Sequence, residues 1–212
     1  MSGFIAGVDE AGRGAVLGPL VIALAVCSRS DSKKLKKLGK KDSKQLTPLQ
    51  REETLKQLEQ FVTFKIREVT ASELSSLMDH TNLNDIEAKG MAELAKTVKD
   101  ADIMIDLPDR YEWIFRKRME KCGVKKFEAQ HKADENFPIV AAASIKAKVL
   151  RDLRVTEIKT ETGIDFGSGY PSDPKTRNAL KDKETMKKLS RFIRHKWKTL
   201  ENVKQRKLFE GE

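Results

Sequence analysis

With two cysteines and three histidines among 212 residues, the chain has little from which to build a disulfide framework or a zinc site. Cys27 ends an apolar run and Cys122 precedes Gly123, so both read as reduced packing residues. His80, His131 and His195 are too scattered for a catalytic triad or a metal motif; His131 lies near Asp134 but reads as a surface position. No stretch approaches the roughly 18 unbroken apolar residues of a membrane helix. The best candidate, Pro19 to Cys27, has strand length. The opening Met1-Ser2-Gly3-Phe4 lacks a basic region and a cleavage signal, which argues for a cytoplasmic protein without a membrane partner. Internal repeats are absent too.

Charge is abundant. Lysine and arginine number 42 against 32 acidic residues, a net charge of +10, and charged residues make up 35% of the chain. Such an excess suits a polyanionic partner, because each neutralised phosphate releases a counterion. Solubilising lysines would give the same balance, so charge alone does not decide.

The periodicities predict a mixed α/β protein. Gly3 to Val8 and Leu20 to Cys27 read as buried strands joined by a short glycine-rich link, hence a hairpin. Ser28 to Lys41 is lysine-rich and reads as a mobile segment. Thr47-Pro48-Leu49-Gln50 is a helix start with a capping box, and Thr70-Ala71-Ser72-Glu73 repeats the pattern. Val62, Phe64 and Ile66 alternate as a strand. Leu83 to Val98 has helical spacing, Ala101 to Leu107 is a strand, Tyr111 to Cys122 a helix, and Val124 to Gln130 a last strand. From Pro138 to Gly163 one helical face runs through Ala142, Ile145, Val149 and Leu153, and the triplet Ala141 to Ala143 would let it approach a sheet closely. Past Gly163 the signals are helical only, one segment opened by Pro174 and another marked by Leu189, Phe192 and Ile193. Two strands followed by helix–strand alternation imply a mixed sheet with helices packed on it and a small C-terminal helical appendage.

Four acids occupy unusual places. Asp9 and Glu10 follow an apolar strand, Asp106 ends another, and Asp134 stands just before the alanine-rich helix. Strand ends and helix starts gather at one rim of an α/β sheet, where ligands sit. Converging carboxylates suit hard cations such as Mg²⁺, and a pair of such ions can hydrolyse a phosphodiester. A lone Asp at a strand end ordinarily forms a turn or caps a helix, so Asp106 and Asp134 taken singly carry little. Adjacent acids after an apolar strand are costly unless neutralised. Neighbouring strand residues point to opposite faces, so shared ligation by Asp9 and Glu10 requires the backbone to leave strand geometry at Glu10; Gly12 and Gly14 are close enough to permit that.

The run Gly7-Val8-Asp9-Glu10-Ala11-Gly12-Arg13-Gly14 with Gly18-Pro19-Leu20-Val21 closely resembles the N-terminal signature of the ribonuclease HII family. Asp42-Ser43-Lys44-Gln45-Leu46 resembles a second block of that family. Lys132-Ala133-Asp134, continuing through Val140 to Arg151-Asp152, resembles a third, and Gly169-Tyr170-Pro171-Ser172-Asp173-Pro174 a fourth. The blocks stand in family order over residues 3 to about 177, and Asn82-Leu83-Asn84 with the compact tail is similar to the archaeal branch. The resemblance implies a ribonuclease H-like catalytic domain at 1–163 and a helical appendage at 164–212 that completes the substrate groove. It implies an endonuclease that hydrolyses the RNA strand of RNA–DNA hybrids and nicks 5′ of ribonucleotides embedded in duplex DNA, leaving 5′-phosphate and 3′-hydroxyl ends.

Carried over, Asp9, Glu10, Asp106 and Asp134 would be the catalytic ligands of two Mg²⁺ or Mn²⁺ ions, with Asp9 shared. Gly12-Arg13-Gly14 would read the ribose 2′-hydroxyl and hold phosphate. Tyr170 would pack on the sugar beside the RNA–DNA junction and disfavour a second 2′-hydroxyl there. Lys44 would meet phosphate near the cut, Ser43 and Asn82 the backbone, and Lys146 and Lys132 are lesser candidates for phosphate contact. The family often has small residues after its third acid; here Asp109 follows closely and competes with Asp106, which is favoured as the direct strand end. Gln205 to Phe209 faintly resembles a sliding-clamp-binding peptide without its paired aromatics. A monomer is expected. The rival function is a non-catalytic hybrid-binding module on the same fold, and the type HIII sister family is disfavoured because Asp9 lies so near the start.

Overall fold

The computed structural model describes residues 3–38, 46–197 and 200. Five strands, β1 (Phe4–Ala11), β2 (Leu20–Ser28), β3 (Thr63–Val69), β4 (Ala101–Asp106) and β5 (Glu128–Gln130), form one sheet in the order β3-β2-β1-β4-β5. The expected hairpin is present: β1 and β2 pair antiparallel from Phe4↔Ser28 to Ala11↔Val21. β4 lies parallel to β1, and β5 parallel to β4, so the sheet is mixed. The helices among the described residues are α1 (Ser32–Leu38), α2 (Pro48–Leu58), α3 (Ala71–Leu77), α4 (Leu83–Ala95), α5 (Glu112–Lys121), α6 (Ala133–Asn136), α7 (Pro138–Thr162), α8 (Pro174–Lys181) and α9 (Lys183–Lys188). None is long and apolar enough to cross a membrane.

Local chemistry fixes many boundaries. Thr47 and Gln50 form the reciprocal capping box of α2, with bonds of 3.0 and 3.3 Å. Thr70 and Asn82 each accept a backbone N–H three residues on, opening α3 and α4. Gly123 and Gly163 take positive φ after α5 and α7 and stop them.

Two compact units result. The first, Met1–Ala11, Val21–Arg67 and Asn82–Leu150, contains most of the sheet. Val21, Ala23, Ala25 and Cys27 of β2 pack in one core with Leu55 and Leu58 of α2 and with Val140, Ala142 and Ala143 of α7. The neighbouring β2 residue Ile22 meets α4 instead, at Gly90, as strand alternation requires. The alanine-rich helix does approach closely: a Cβ on Gly7 would lie 2.6 Å from the Val140 nitrogen. The second unit, Gly12–Leu20, Glu68–Thr81 and Arg151–Glu212, has its own core of Val16, Leu17, Val155, Ile158, Phe166, Leu180 and Ile193.

Two expectations need correction. The lysine-rich segment after β2 forms a turn and then α1, because Leu35 is buried in the sheet core. Leu189, Phe192 and Ile193 do not mark a helix: Ser190–Phe192 is a single 3₁₀ turn, and Ile193 pairs with Leu17 as an antiparallel bridge.

Candidate active site

β1 and β4 run side by side, and their last registered pair is Val8↔Ile105. Asp9 and Asp106 are the next residues of each, so two carboxylates stand side by side where the β1–β4 pairing ends, at the carboxyl end of β4. The Asp106 Oδ1 accepts the Ala133 backbone N–H at 2.7 Å, which ties the start of α6 to the strand end and brings in Asp134. Asp134 therefore belongs to a separate four-residue helix ahead of α7. Lys132, just before it, is held at φ 57°, a left-handed conformation that side chains bearing a Cβ adopt at a cost.

Asp9 is 5% exposed. Its Oδ1 accepts the Glu10 N–H at 2.7 Å, and the Ser144 hydroxyl of α7 faces the carboxylate without forming a well-aligned hydrogen bond. Burial, above all, pushes the Asp9 carboxyl up to about 7; Asp106 and Asp134 push the same way, while Ser144 and the Glu10 N–H oppose them. Asp9 thus feels the charge of both other acids. They do not form a closed cage: among the described residues no three acidic, histidine or cysteine side chains lie close enough to share an ion. Like charges repel one another. The donor set itself suits a hard divalent ion, being all oxygen, and among the described residues the groups acting on the buried Asp9 carboxyl are two other carboxylates, a hydroxyl and a backbone N–H.

Glu10 is placed otherwise. The expected departure from strand geometry does not occur: Glu10 pairs with Ile22, and the strand continues to Ala11. Alternation sets Glu10 on the face opposite Asp9. The competitor Asp109 is 3% exposed and engaged elsewhere, with Oδ1 bonded to the Asn84 amide and Oδ2 accepting from Arg118 Nε at 3.0 Å. Arg118 also pairs with Asp85. That is a structural ion-pair network, whereas Asp106 stands beside Asp9.

In the second unit the chain after β1 makes a tight turn. Gly12 is buried with φ 87°, and a Cβ there would come within 2.6 Å of the Pro19 carbonyl oxygen, so the position admits only glycine. Arg13 is half-buried and Gly14 exposed. A Cβ on Gly14 would lie 3.9 Å from the Tyr170 ring. The turn and Tyr170, 156 positions apart in numbering (170 − 14), are thus neighbours. The carbonyl of Gly169 accepts N–H bonds from Val16 and Leu17, at 2.8 and 3.2 Å. From the chain end, the buried Arg194 donates to the carbonyls of Gly18 at 3.0 Å and Arg13 at 3.2 Å.

The remaining expected contacts are engaged locally. Asn82 caps α4 and its amide donates to Asp85 at 2.6 Å. Lys146 pairs with Glu59 at 2.7 Å and lies over the Phe64 ring. Ser43, Lys44 and the Gln205–Phe209 tail lie outside the described residues. Sequence reading missed Ser144, Arg151 and Arg194. The first had one signal, a lone hydroxyl between alanines and isoleucine in an apolar helix; Arg151 stood in the third signature block without being given a role, and Arg194 had no signal, because surface arginines look the same.

The family model for ribonuclease HII matches residues 6–200. The ribonuclease HII of Nanoarchaeum equitans is 46% identical over 195 residues, covering 90% of this chain and 92% of that protein. A solved structure of the PCNA:ribonuclease HII complex from Archaeoglobus fulgidus superposes with a TM-score of 0.84 at 38% identity, over 92% of this chain and 95% of that one. Bst-RNase HIII in complex with Mn²⁺ shares the fold, with a TM-score of 0.80 at 19% identity over 95% of this chain and 69% of that one.

Proposed function

Because the chain belongs to the ribonuclease HII family, we propose that Asp9, Asp106 and Asp134 hold the divalent cations of its reaction. The activity is that of the family: a metal-dependent endonuclease acting on RNA–DNA hybrids and on ribonucleotides embedded in DNA. The single observation that carries the assignment of residues is the meeting of Asp9 and Asp106 at neighbouring strand ends, with Asp106 tethering the turn that bears Asp134.

The cations are two Mg²⁺ or Mn²⁺ ions, a choice supported by the oxygen donor set and by the Mn²⁺ complex of Bst-RNase HIII. When bound, such ions supply an activated water and stabilise charge on the leaving oxygen. Asp9, which feels the charge of both Asp106 and Asp134, would be the shared ligand. Ser144 orients its carboxylate. Glu10 joins as a fourth ligand only if the final pair of β1 opens. Water adds to phosphorus as the bond to the 3′-oxygen breaks, leaving a 5′-phosphate and a 3′-hydroxyl.

The Gly12–Gly14 turn reads the ribose. Backbone at Gly14 is open on the outside and carries no side chain to keep a sugar away, and the 2′-hydroxyl is what separates RNA from DNA. Arg13 holds phosphate through its fork, and Tyr170 packs on the sugar beside the junction. Ser43 and Lys44 add backbone and phosphate contacts. Asn82 and Lys146 do so only by giving up the partners described above. Because these contacts go to sugar and phosphate, base sequence matters little. The enzyme acts as a cytoplasmic monomer. A sliding-clamp contact through the tail is supported by the PCNA complex of the Archaeoglobus fulgidus protein.

The test is a labelled duplex carrying one ribonucleotide, incubated with Mg²⁺ and with EDTA, for the parent and for Asp9→Asn, Asp106→Asn and Asp134→Asn. The expected result is a nick 5′ of the ribonucleotide, present only with metal and lost in each variant. Full activity in any of the three removes that residue from the assignment.

A further inference from the structure

Arg151 sits in α7 and is 4% exposed. Burying a guanidinium is costly unless its charge and donors are used. Nη2 donates to the Ser168 carbonyl at 2.6 Å. Nη1 stands 3.8 Å from an Asp152 carboxylate oxygen, too far for a tight pair. The guanidinium carbon lies 4.4 Å from the centre of the Tyr170 ring, within stacking range. A Cβ on Gly12 would come within 3.0 Å of Nε, and one on Gly169 within 3.2 Å of Nη2. One buried group therefore touches the ring, the residue before the ring and the first glycine of the turn. Nε makes no hydrogen bond among the described residues, so the group's main engagement is the stack and the Ser168 bond.

We propose that Arg151 is a positioning residue: it supports one face of Tyr170 and the floor of the Gly12–Gly14 turn, and so sets how strictly the enzyme prefers an RNA–DNA junction over continuous RNA. The inference rests on the reading of Tyr170 given above. Tyr170 is half-buried, so part of the ring stays open while the guanidinium fixes its tilt. A lysine would keep the charge but offers no plane to stack.

The measurement is kcat and KM on two duplexes, one with a single ribonucleotide followed by DNA and one with RNA continuing across the cut. Parent, Tyr170→Ala, Arg151→Lys, Arg151→Met and the Arg151→Met/Tyr170→Ala double variant are compared, with circular dichroism confirming the fold. Each Arg151 variant lowers the junction preference roughly tenfold, equivalent to about 1.4 kcal/mol, mainly through kcat. Tyr170→Ala lowers it at least as far, and the double variant loses nothing more, because both changes remove one arrangement. The proposal is overturned if Tyr170→Ala collapses the preference while both Arg151 variants keep it within about twofold, or if the two losses add. If Tyr170→Ala leaves the preference intact, the reading of Tyr170 fails first and the role of Arg151 falls with it. Should Arg151→Met fail to fold, Arg151→Lys, which retains the buried charge, carries the same comparison.

Discussion

In the sheet unit, Asp9 of β1, Asp106 at the end of β4 and Asp134 of α6 concentrate negative charge, and the most buried of them is pushed towards its neutral form. In the second unit, Arg151 and Arg194 are buried as well, but each directs its guanidinium at backbone carbonyls, and the turn they support is already formed. The difference is one of dependence. Burial and acidic neighbours disfavour the charge on Asp9, whereas the two guanidiniums already donate to carbonyls, even though Arg151 Nε does not. The same protein therefore offers a turn whose backbone is already held in place and a set of carboxylates whose oxygens suit a hard cation.

The largest expected effect breaks the first half of that comparison. Asp9→Asn abolishes nicking, by at least about a thousandfold, on the usual scale for groups that stabilise charge in the transition state. In EDTA the same substitution stabilises the protein. The sign follows from linkage: the folded-state Asp9 carboxyl lies near 7, above its ordinary 3.8, so between those values the folded protein holds the proton more tightly than the unfolded chain. Stability is present at low pH and is lost as pH rises through about 4 to 7. Thermal melts of parent and variant without metal diverge across that window and run parallel above it. Equal melts at pH 5 and 8 would contradict the buried-charge account.

Next in size is the contrast between two nearby acids. Asp106→Asn loses most activity with little change in melting temperature. Asp109→Asn keeps its rate but costs about 1–3 kcal/mol, the range for a buried hydrogen-bonded group left unmatched, since Asn84 and Arg118 lose their carboxylate. Denaturant melts beside initial rates separate the two, and a reversed pattern would move the third ligand to Asp109.

The glycine turn gives a smaller, graded effect. Gly12→Ala forces a Cβ into the left-handed region and against Pro19, at a cost on the order of 1–3 kcal/mol. Gly14→Ala meets only ordinary contact with Tyr170, so its melt is unchanged and its defect appears in the choice between ribonucleotide and deoxyribonucleotide. The smallest effect is electrostatic. Arg13→Ala reduces the slope of log affinity against log salt by about one unit, as for one lost phosphate contact, which fluorescence anisotropy on a hybrid duplex would show.

How much of this could be read from the chain alone follows the range of the interactions. Helix caps at Thr47 and Thr70 and the stops at Gly123 and Gly163 depend on residues within a turn, and the structure has them where the sequence puts them, whereas the Asn82 cap of α4 was not read from the sequence. The strand pattern also announced the β1–β2 hairpin. Helix α1 was hidden because only two apolar residues, the buried Leu35 and the partly buried Leu38, anchor it among lysines. The bridge from Leu17 to Ile193 spans most of the chain, and an apolar triplet near its far end looks helical until that partner is known. The acids were legible by their places at strand ends, but the continuation of β1 through Glu10 was not. Neither were Arg151 and Arg194, whose partners are carbonyls distant in sequence and leave no mark on a local pattern.

Binding of Mn²⁺ to the protein at pH 8, followed by electron paramagnetic resonance without substrate, tests the central claim most directly. The account predicts that the parent takes up Mn²⁺, that Asp9→Asn, Asp106→Asn and Asp134→Asn each weaken uptake strongly, and that Glu10→Gln weakens it less. Undiminished Mn²⁺ binding in all three Asp→Asn variants would show that the strand-end carboxylates are not where the metal is held.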